Sequence, residues 1–303
     1  MRKIILITMA TIFAVGVMAQ QKIRVWKNNS IAYEEEVTQI DSITFYNEYE
    51  GALNGEFSVS PTKKVRFSKG NLQYQASTDT WRFADNQYEC IGNANTNISS
   101  TYNGWIDLFG WGTGNNPTLH STDDNDYLTF VDWGTNAISN GGNVANEWRS
   151  LTKDECVYLL YSRTNATSLF GAGTVNGVHG VIILPDNWVT PDGLTFNIGV
   201  ENGMVDNGEL YLNSNWNNYD HNVYTEAQWT IMESAGAVFL AATGNRQGTT
   251  IYNIGQYGFC WTSSFENVDN RAYYIGFGWQ SFDPRGTGNP FEGFFVRLIQ
   301  EEK

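Results

Sequence analysis

Basic residues are scarce in this sequence, and so are cysteine, histidine and proline. Of 303 residues only 18 are Lys or Arg, against 32 Asp or Glu, a formal charge of −14 at pH 7. A surplus of that sign excludes nucleic acid as a partner, because phosphate backbones demand clustered Lys and Arg. Charged residues make up just 17% while aromatics reach 15%, which excludes a solvated, disordered chain. Cys90, Cys156 and Cys260 are odd in number, far apart and in no C-x-x-C pair, so at most one bridge could close. A chain this long buries enough core without one. His120, His179 and His221 share no metal-ligand spacing, which argues against zinc.

Glycine and asparagine are abundant instead, with 30 Gly and 33 Asn. Both favour turns and weaken helix interiors, so a helical bundle is excluded and a turn-rich protein with much β structure is expected.

The N-terminus reads as a secretory signal over residues 1–19. Arg2 and Lys3 precede the apolar run Ile4 to Val17, and Val17-Met18-Ala19 offers small residues for cleavage. The run is short for a membrane span, and no later stretch is apolar enough to be one. Removing the signal leaves 16 basic against 32 acidic residues, a charge of −16. The mature protein is therefore expected outside the cytoplasm, in the periplasm, at the cell surface or beyond, with no membrane span. No Cys follows the cut, so no lipid anchor is indicated.

Residues 20–46 make a small β unit. Lys22 to Trp26 and Ser42 to Tyr46 are the expected strands, with a turn at Asn28-Asn29-Ser30 and a solvated acidic face at Glu34, Glu35 and Glu36. Residues 47–56 are polar and glycine-containing, the expected linker to a domain over 57–303. In that domain Val65 and Phe67 alternate with polar residues, as do Leu72 and Tyr74 after Gly70-Asn71. Val181 to Leu184 and Ala237 to Ala242 are continuous apolar runs, which predicts strands covered on both faces. Tyr273, Ile275, Phe277 and Trp279 alternate with Tyr274, Gly276, Gly278 and Gln280, and Phe294 to Ile299 closes the chain as a strand. Only two segments read as helices. Thr152-Lys-Asp-Glu155 and Thr225-Glu-Ala-Gln228 are capping boxes, each followed by apolar residues at three- and four-residue spacing. Two helices among many short antiparallel strands predict an α+β fold. Cys156 then falls in a helix and Cys260 in a strand, where buried, inert thiols are expected.

Several runs carry a family resemblance. Trp148-Arg-Ser-Leu-Thr-Lys-Asp-Glu155 and Tyr224-Thr-Glu-Ala-Gln-Trp229 both resemble the helix-opening W-R-L-P-T-E-A-E-W run of formylglycine-generating-enzyme-like domains, a variant of the C-type lectin fold. Gly236 to Arg246, Phe259-Cys-Trp-Thr-Ser-Ser264 and Gly293-Phe-Phe-Val-Arg-Leu-Ile299 resemble, in order, that family's buried strand and turn, its Y-W-S-S-S run and its closing strand. The set is similar to the major-paralogous-domain group of bacterial surface proteins, over roughly residues 57–300. Ile40-Asp-Ser-Ile-Thr-Phe45 resembles a short module at the start of secreted proteins from the same bacteria. The resemblance implies a C-type-lectin-like domain whose first and last strands pair, here Val65–Phe67 with Phe294–Leu298. It also implies a long, weakly structured loop region over 262–293, where ligands of such folds bind.

The chemistry of that family does not carry over. The oxidase needs two reactive cysteines near the C-terminus, and this chain has Cys260 alone. The calcium-binding E-P-N, Q-P-D and W-N-D runs of sugar-binding C-type lectins are missing too. Asp123, Asp124 and Asp126 form a local carboxylate cluster that calcium could use, without the Gly and bidentate Glu of an EF-hand loop. No nucleophile elbow, phosphate loop or dinucleotide fingerprint is present.

Aromatic residues in polar company remain as candidate ligand contacts. Trp216 and Tyr219 lie among Asn213, Asn215, Asn217 and Asn218, while Trp279 and Phe282 flank the turn into Asp283-Pro284-Arg285. Such rings give contact area at low entropy cost, and neighbouring amides and charges give direction. The expectation is a non-enzymatic, exported or surface-associated binding protein without a cofactor. It recognises a glycan or protein on another surface through Trp216, Tyr219, Trp279, Phe282, Asp283 and Arg285. Alternatives are a carbohydrate-active hydrolase with facing carboxylates, a structural subunit of a surface assembly, and a receptor-binding protein diversified by a retroelement over residues 262–293.

Overall fold

The computed structural model describes residues 21–27, 29–39, 49–198, 205–206, 209–211, 218–278 and 281–302. Two compact units divide the chain, residues 1–48 and 49–303. The signal segment, the strand expected at Ser42 to Tyr46 and the Ile40–Phe45 module lie outside the described residues.

In the first unit a hairpin joins β1 (Lys22–Lys27) to β2 (Ser30–Glu36). Lys22 pairs with Glu36 and Arg24 with Glu34. Glu34 holds Lys22 at 2.9 Å and also binds Arg24, which keeps its carboxyl below the usual range. The acidic face at residues 34–36 is thus the second strand itself, which the three consecutive glutamates concealed.

The second unit opens with β3 (Phe57–Ser58), β4 (Lys64–Phe67), β5 (Leu72–Gln75) and β6 (Thr80–Phe83). It already begins at Tyr49, inside the stretch expected as a linker. Leu53 is buried and its amide donates to Phe67 O at 2.8 Å, because a lone leucine next to a sheet edge gains more from burial than from solvation. Residues 84–152 hold only short 3-10 turns. Then follow α1 (Lys153–Val157), which runs on as a π turn over Tyr158–Ser162, and the strands β7 (Phe170–Val175) and β8 (Val178–Ile183). The remaining elements are β9 (Val205–Asp206), β10 (Glu209–Tyr211), β11 (Val223–Tyr224), α2 (Glu226–Ser234), β12 (Val238–Ala241), β13 (Asn245–Gln247), β14 (Thr250–Tyr252), β15 (Gly258–Glu266), β16 (Arg271–Phe277), β17 (Ser281–Gly288) and β18 (Ile299–Glu301). The class is α+β.

Both helices start where the capping boxes place them. Thr152 accepts from Glu155 N and Thr225 from Gln228 N, and each partner side chain bonds back to the cap. The apolar runs at 181–184 and 237–242 become β8 and β12, antiparallel neighbours in the sheet β11-β7-β8-β12. Val181, Ile183, Val238 and Leu240 enter one core, while Ile182, Leu184, Phe239 and Ala241 enter another on the opposite face. Continuous hydrophobicity here means two buried faces.

The unit closes on itself. β18 pairs with β4 through Ile299–Phe67 and Glu301–Val65. The partner segment begins directly after the expected Phe294–Leu298, which instead bridges inward to Phe109 and Cys260. The largest departure concerns residues 262–293. They form not a loop but the three-stranded antiparallel core β15-β16-β17, extended by β10 and β9. The alternation of Tyr273, Ile275 and Phe277 fits this, since Ile275 and Phe277 enter a hydrophobic core on one face of the sheet.

Asp107 fixes the irregular region to the core. It is fully buried, accepting from Ile91 N at 2.9 Å and Asn95 Nδ2 at 2.8 Å. Burial pushes its carboxyl up to about 6. With the native value above the unfolded one, its contribution is complete below about pH 4 and is lost as pH rises through about 6, amounting to about 3 kcal/mol. Urea titrations should show the wild type losing stability relative to Asp107→Asn by that order between pH 4 and pH 7; a gap that stays flat across this window would contradict the assignment.

Candidate functional site

Glycine spacing builds the most distinctive surface of the second unit. On β16 and the residue after it, and on β17, glycines recur at every second position: Gly276 and Gly278, Gly286 and Gly288. Period two puts them all on one sheet face, opposite to that of Ile275 and Phe277. Tyr274 pairs across the strands with Gly286, and Phe259 on β15 pairs with Gly276. Bare backbone lets aromatic rings lie down on the sheet. A Cβ at Gly286 would come 2.3 Å from the Tyr274 ring, one at Gly276 2.7 Å from the same ring, and one at Gly278 2.5 Å from Tyr257.

Three rings therefore form one continuous, partly exposed surface. Tyr257 stacks on Phe259 at 6.2 Å, and Phe259 meets Tyr274 edge-on at 5.4 Å. Beneath them Phe294 and Trp261 are buried, 4.2 Å apart, with Trp261 Nε1 donating to Phe109 O at 2.7 Å. The outer rings stand on a rigid aromatic floor.

Polar groups edge this surface. Asp283 sits opposite Gly276 in the register, hence on the ring face, and accepts from Arg285 N at 2.8 Å. Glu292 Oε2 lies 3.0 Å from the Cβ position of Gly288, a point only 3.1 Å from Tyr274 Cε1. Its other oxygen accepts from Gln247 Nε2 at 3.1 Å. Burial raises the carboxyls of Asp283, Glu292 and the neighbouring Asp124 above their ordinary values, and Arg271 partly offsets this for Glu292 and Asp124.

No family model, curated protein or solved structure matches this chain. The geometry alone must speak for the site.

It scatters the residues expected from sequence. Trp216 and Trp279 lie outside the described residues. Tyr219 is buried rather than solvent-facing: it stacks on His179 at 4.6 Å and donates its hydroxyl to Gln256 O at 2.7 Å. Its asparagine-rich surroundings misled because the nearby Asn222 turns inward as well, donating to Ala172 O and Asn197 O. Phe282 is fully buried, edge-on to Phe170 at 5.2 Å and to Phe277 at 6.1 Å. Arg285 is exposed and interacts with Lys153, whose ammonium lies over Tyr273 on the other sheet face. Of the expected set, Asp283 alone among the described residues joins the aromatic surface.

The Asp123, Asp124 and Asp126 cluster does not converge. Asp123 caps a 3-10 turn by accepting from Asn125 N, and Asp124 takes the Phe291 amide. Among the described residues no three His, Cys, Asp or Glu side chains gather as a metal group. Cys156 and Cys260 are buried with their thiols pushed up by burial, Cys260 to about 12.

Sequence reasoning missed Tyr257, Phe259, Tyr274 and Glu292. The signal was present as glycines two apart on consecutive strands. Gly286→Ala should lower stability by about 1–3 kcal/mol through overpacking against Tyr274. In a Tyr274→Ala background the same change should be close to neutral, because the colliding ring is gone; equal costs in both backgrounds, measured by urea denaturation, would refute the stacking geometry.

Proposed function

We propose that this protein is an exported, non-enzymatic binding protein that recognises a glycan on another surface through the Tyr257–Phe259–Tyr274 face. The observation that carries the reading is three adjoining, partly exposed rings, Tyr274 laid against glycine backbone and the stacked pair Tyr257 and Phe259 edge-on to it, edged by Asp283 and Glu292. A pyranose presents a flat C–H face to such rings, and its hydroxyls donate to carboxylates at the edge. Rigidity favours binding, since little side-chain freedom remains to be lost.

The secretory N-terminus and the likeness to the major-paralogous-domain surface proteins support export. Pairing of β4 with β18 is what a C-type-lectin-like closure requires. Contact through strands rather than through C-terminal loops departs from the usual habit of that fold, and follows from the regular β16 and β17.

The secreted protein applied to a glycan and protein array should bind glycans, and Tyr274→Ser should lose at least tenfold in affinity, about 1.4 kcal/mol or more. Binding confined to proteins, or release of reducing ends from any polysaccharide, would replace this reading with a protein receptor or a hydrolase.

A further inference from the structure

Where the opening and closing segments of the second unit meet, a buried guanidinium is left incompletely paired. Arg66, Arg163 and Arg297 each keep a buried Nε–H with no acceptor among the described residues. Arg66 meets Glu56 and Glu302, and Arg163 meets Asp186, whereas Arg297 forms no ion pair with any described carboxylate. Its Nη2 donates to Gln87 Oε1 at 2.6 Å and its Nη1 to Asn71 Oδ1 at 3.3 Å. Glu233 acts on it from behind Gln87, whose Nε2 donates to that carboxylate at 3.0 Å. Burial lowers the Arg297 pKa to about 9, which leaves it charged at neutral pH.

Asn71 is the second incomplete group. It is fully buried, and its Nδ2 has no acceptor among the described residues. Turning the amide over would set two donors, Nδ2 and Arg297 Nη1, against each other. Ser68 N donates to Leu298 O and Leu72 N to Val296 O, both at 2.9 Å, and these bonds bracket the Asn71–Arg297 contact. The neighbouring acceptors are engaged. Gln87 Oε1 also takes Phe239 N at 2.8 Å, Asn71 O takes Ala84 N at 2.8 Å, and Gly70 O takes Ser68 Oγ at 2.9 Å.

We infer that Arg297 Nε and Asn71 Nδ2 hold a buried monovalent halide, in practice chloride, which fastens the closing segment to the opening one. A water molecule would accept from both donors but would then need acceptors for its own two protons, and the neighbouring ones are taken. A tetrahedral oxyanion would present four oxygens to two unpaired donors. A halide only accepts, and it gives the guanidinium the counter-charge that no described carboxylate supplies in contact.

The test follows thermal unfolding of the secreted full-length gene product in chloride, bromide or gluconate, each as the sodium salt at about 0.3 M, and adds bromide anomalous diffraction from its crystals. Asn71→Asp puts a carboxylate oxygen in place of Nδ2 as a built-in partner for Arg297. Relative to gluconate, both halides should raise Tm by about 4 °C more in the wild type than in Asn71→Asp. A bromide peak should touch Arg297 Nε and Asn71 Nδ2 in the wild type and be gone from the variant. A halide response equal in both proteins, or water in place of the bromide peak, would overturn the inference. A bromide peak with no effect in solution marks an adventitious ion only and overturns it as well. Where Asn71→Asp fails to fold, the wild-type salt series and diffraction still decide.

Discussion

Arg246 is the constraint on which the rest of the ring face depends. Its guanidinium is buried with no carboxylate partner among the described residues, donating to Leu108 O at 3.2 Å, to Gly248 O at 2.6 Å and more distantly to Leu119 O at 3.5 Å. Its backbone exchanges both hydrogen bonds with Gly293, at 2.9 and 2.7 Å, and its side chain lies so close that a Cβ on Gly293 would meet it at 2.8 Å. Burial lowers its pKa to about 10, still far enough above neutrality to keep the charge. A buried cation is tolerated only where charge-assisted bonds replace its water. Here those bonds come from its own hairpin and from Leu108 and Leu119 in the irregular region, so the same residue that needs them also gathers them.

What it gathers is the frame of the ring face. Glu292 precedes Gly293, Gln247 follows Arg246, and Phe294, Trp261 and Phe259 pack directly beneath and beside. Arg297 performs a comparable task on another side of the unit. It is buried, donates to Gln87 Oε1 at 2.6 Å, and Gln87 in turn bonds Phe239 N, Ala237 O and Glu233. Two closing-segment contacts thus fasten long irregular stretches that have almost no regular hydrogen bonding of their own. Without such anchors a stretch like 84–152 would leave buried backbone groups unpaired.

The framework was legible in the sequence wherever a period or a cap declared itself. Thr152 and Thr225 gave both helix starts, the apolar runs gave β8 and β12, and the opening strand does pair with the chain's closing strand, in the segment directly after the one expected. The errors share a cause: residue character was read as environment. Asparagines around Tyr219 suggested solvent, yet Asn222 spends its amide on buried backbone. Glycine and proline at 276–288 suggested a loop, yet their period of two was that of strands. Three glutamates hid a strand because their partners, Lys22 and Arg24, sit across a turn.

The ring face is where this distinction matters most. Glycines in a strand weaken it, through lost side-chain packing and greater backbone freedom in the unfolded chain. Four of them on one face of two adjacent strands therefore carry a cumulative stability cost, which the rings lying over them offset only in part. A sheet built for stability alone would fill these positions with β-branched side chains. The bare backbone instead holds Tyr274 flat across its neighbours, its edge close to Glu292 and its outer side partly open to water. Local stability has been exchanged here for preorganised aromatic side chains, with Tyr274 laid against bare backbone and Phe259 edge-on to it.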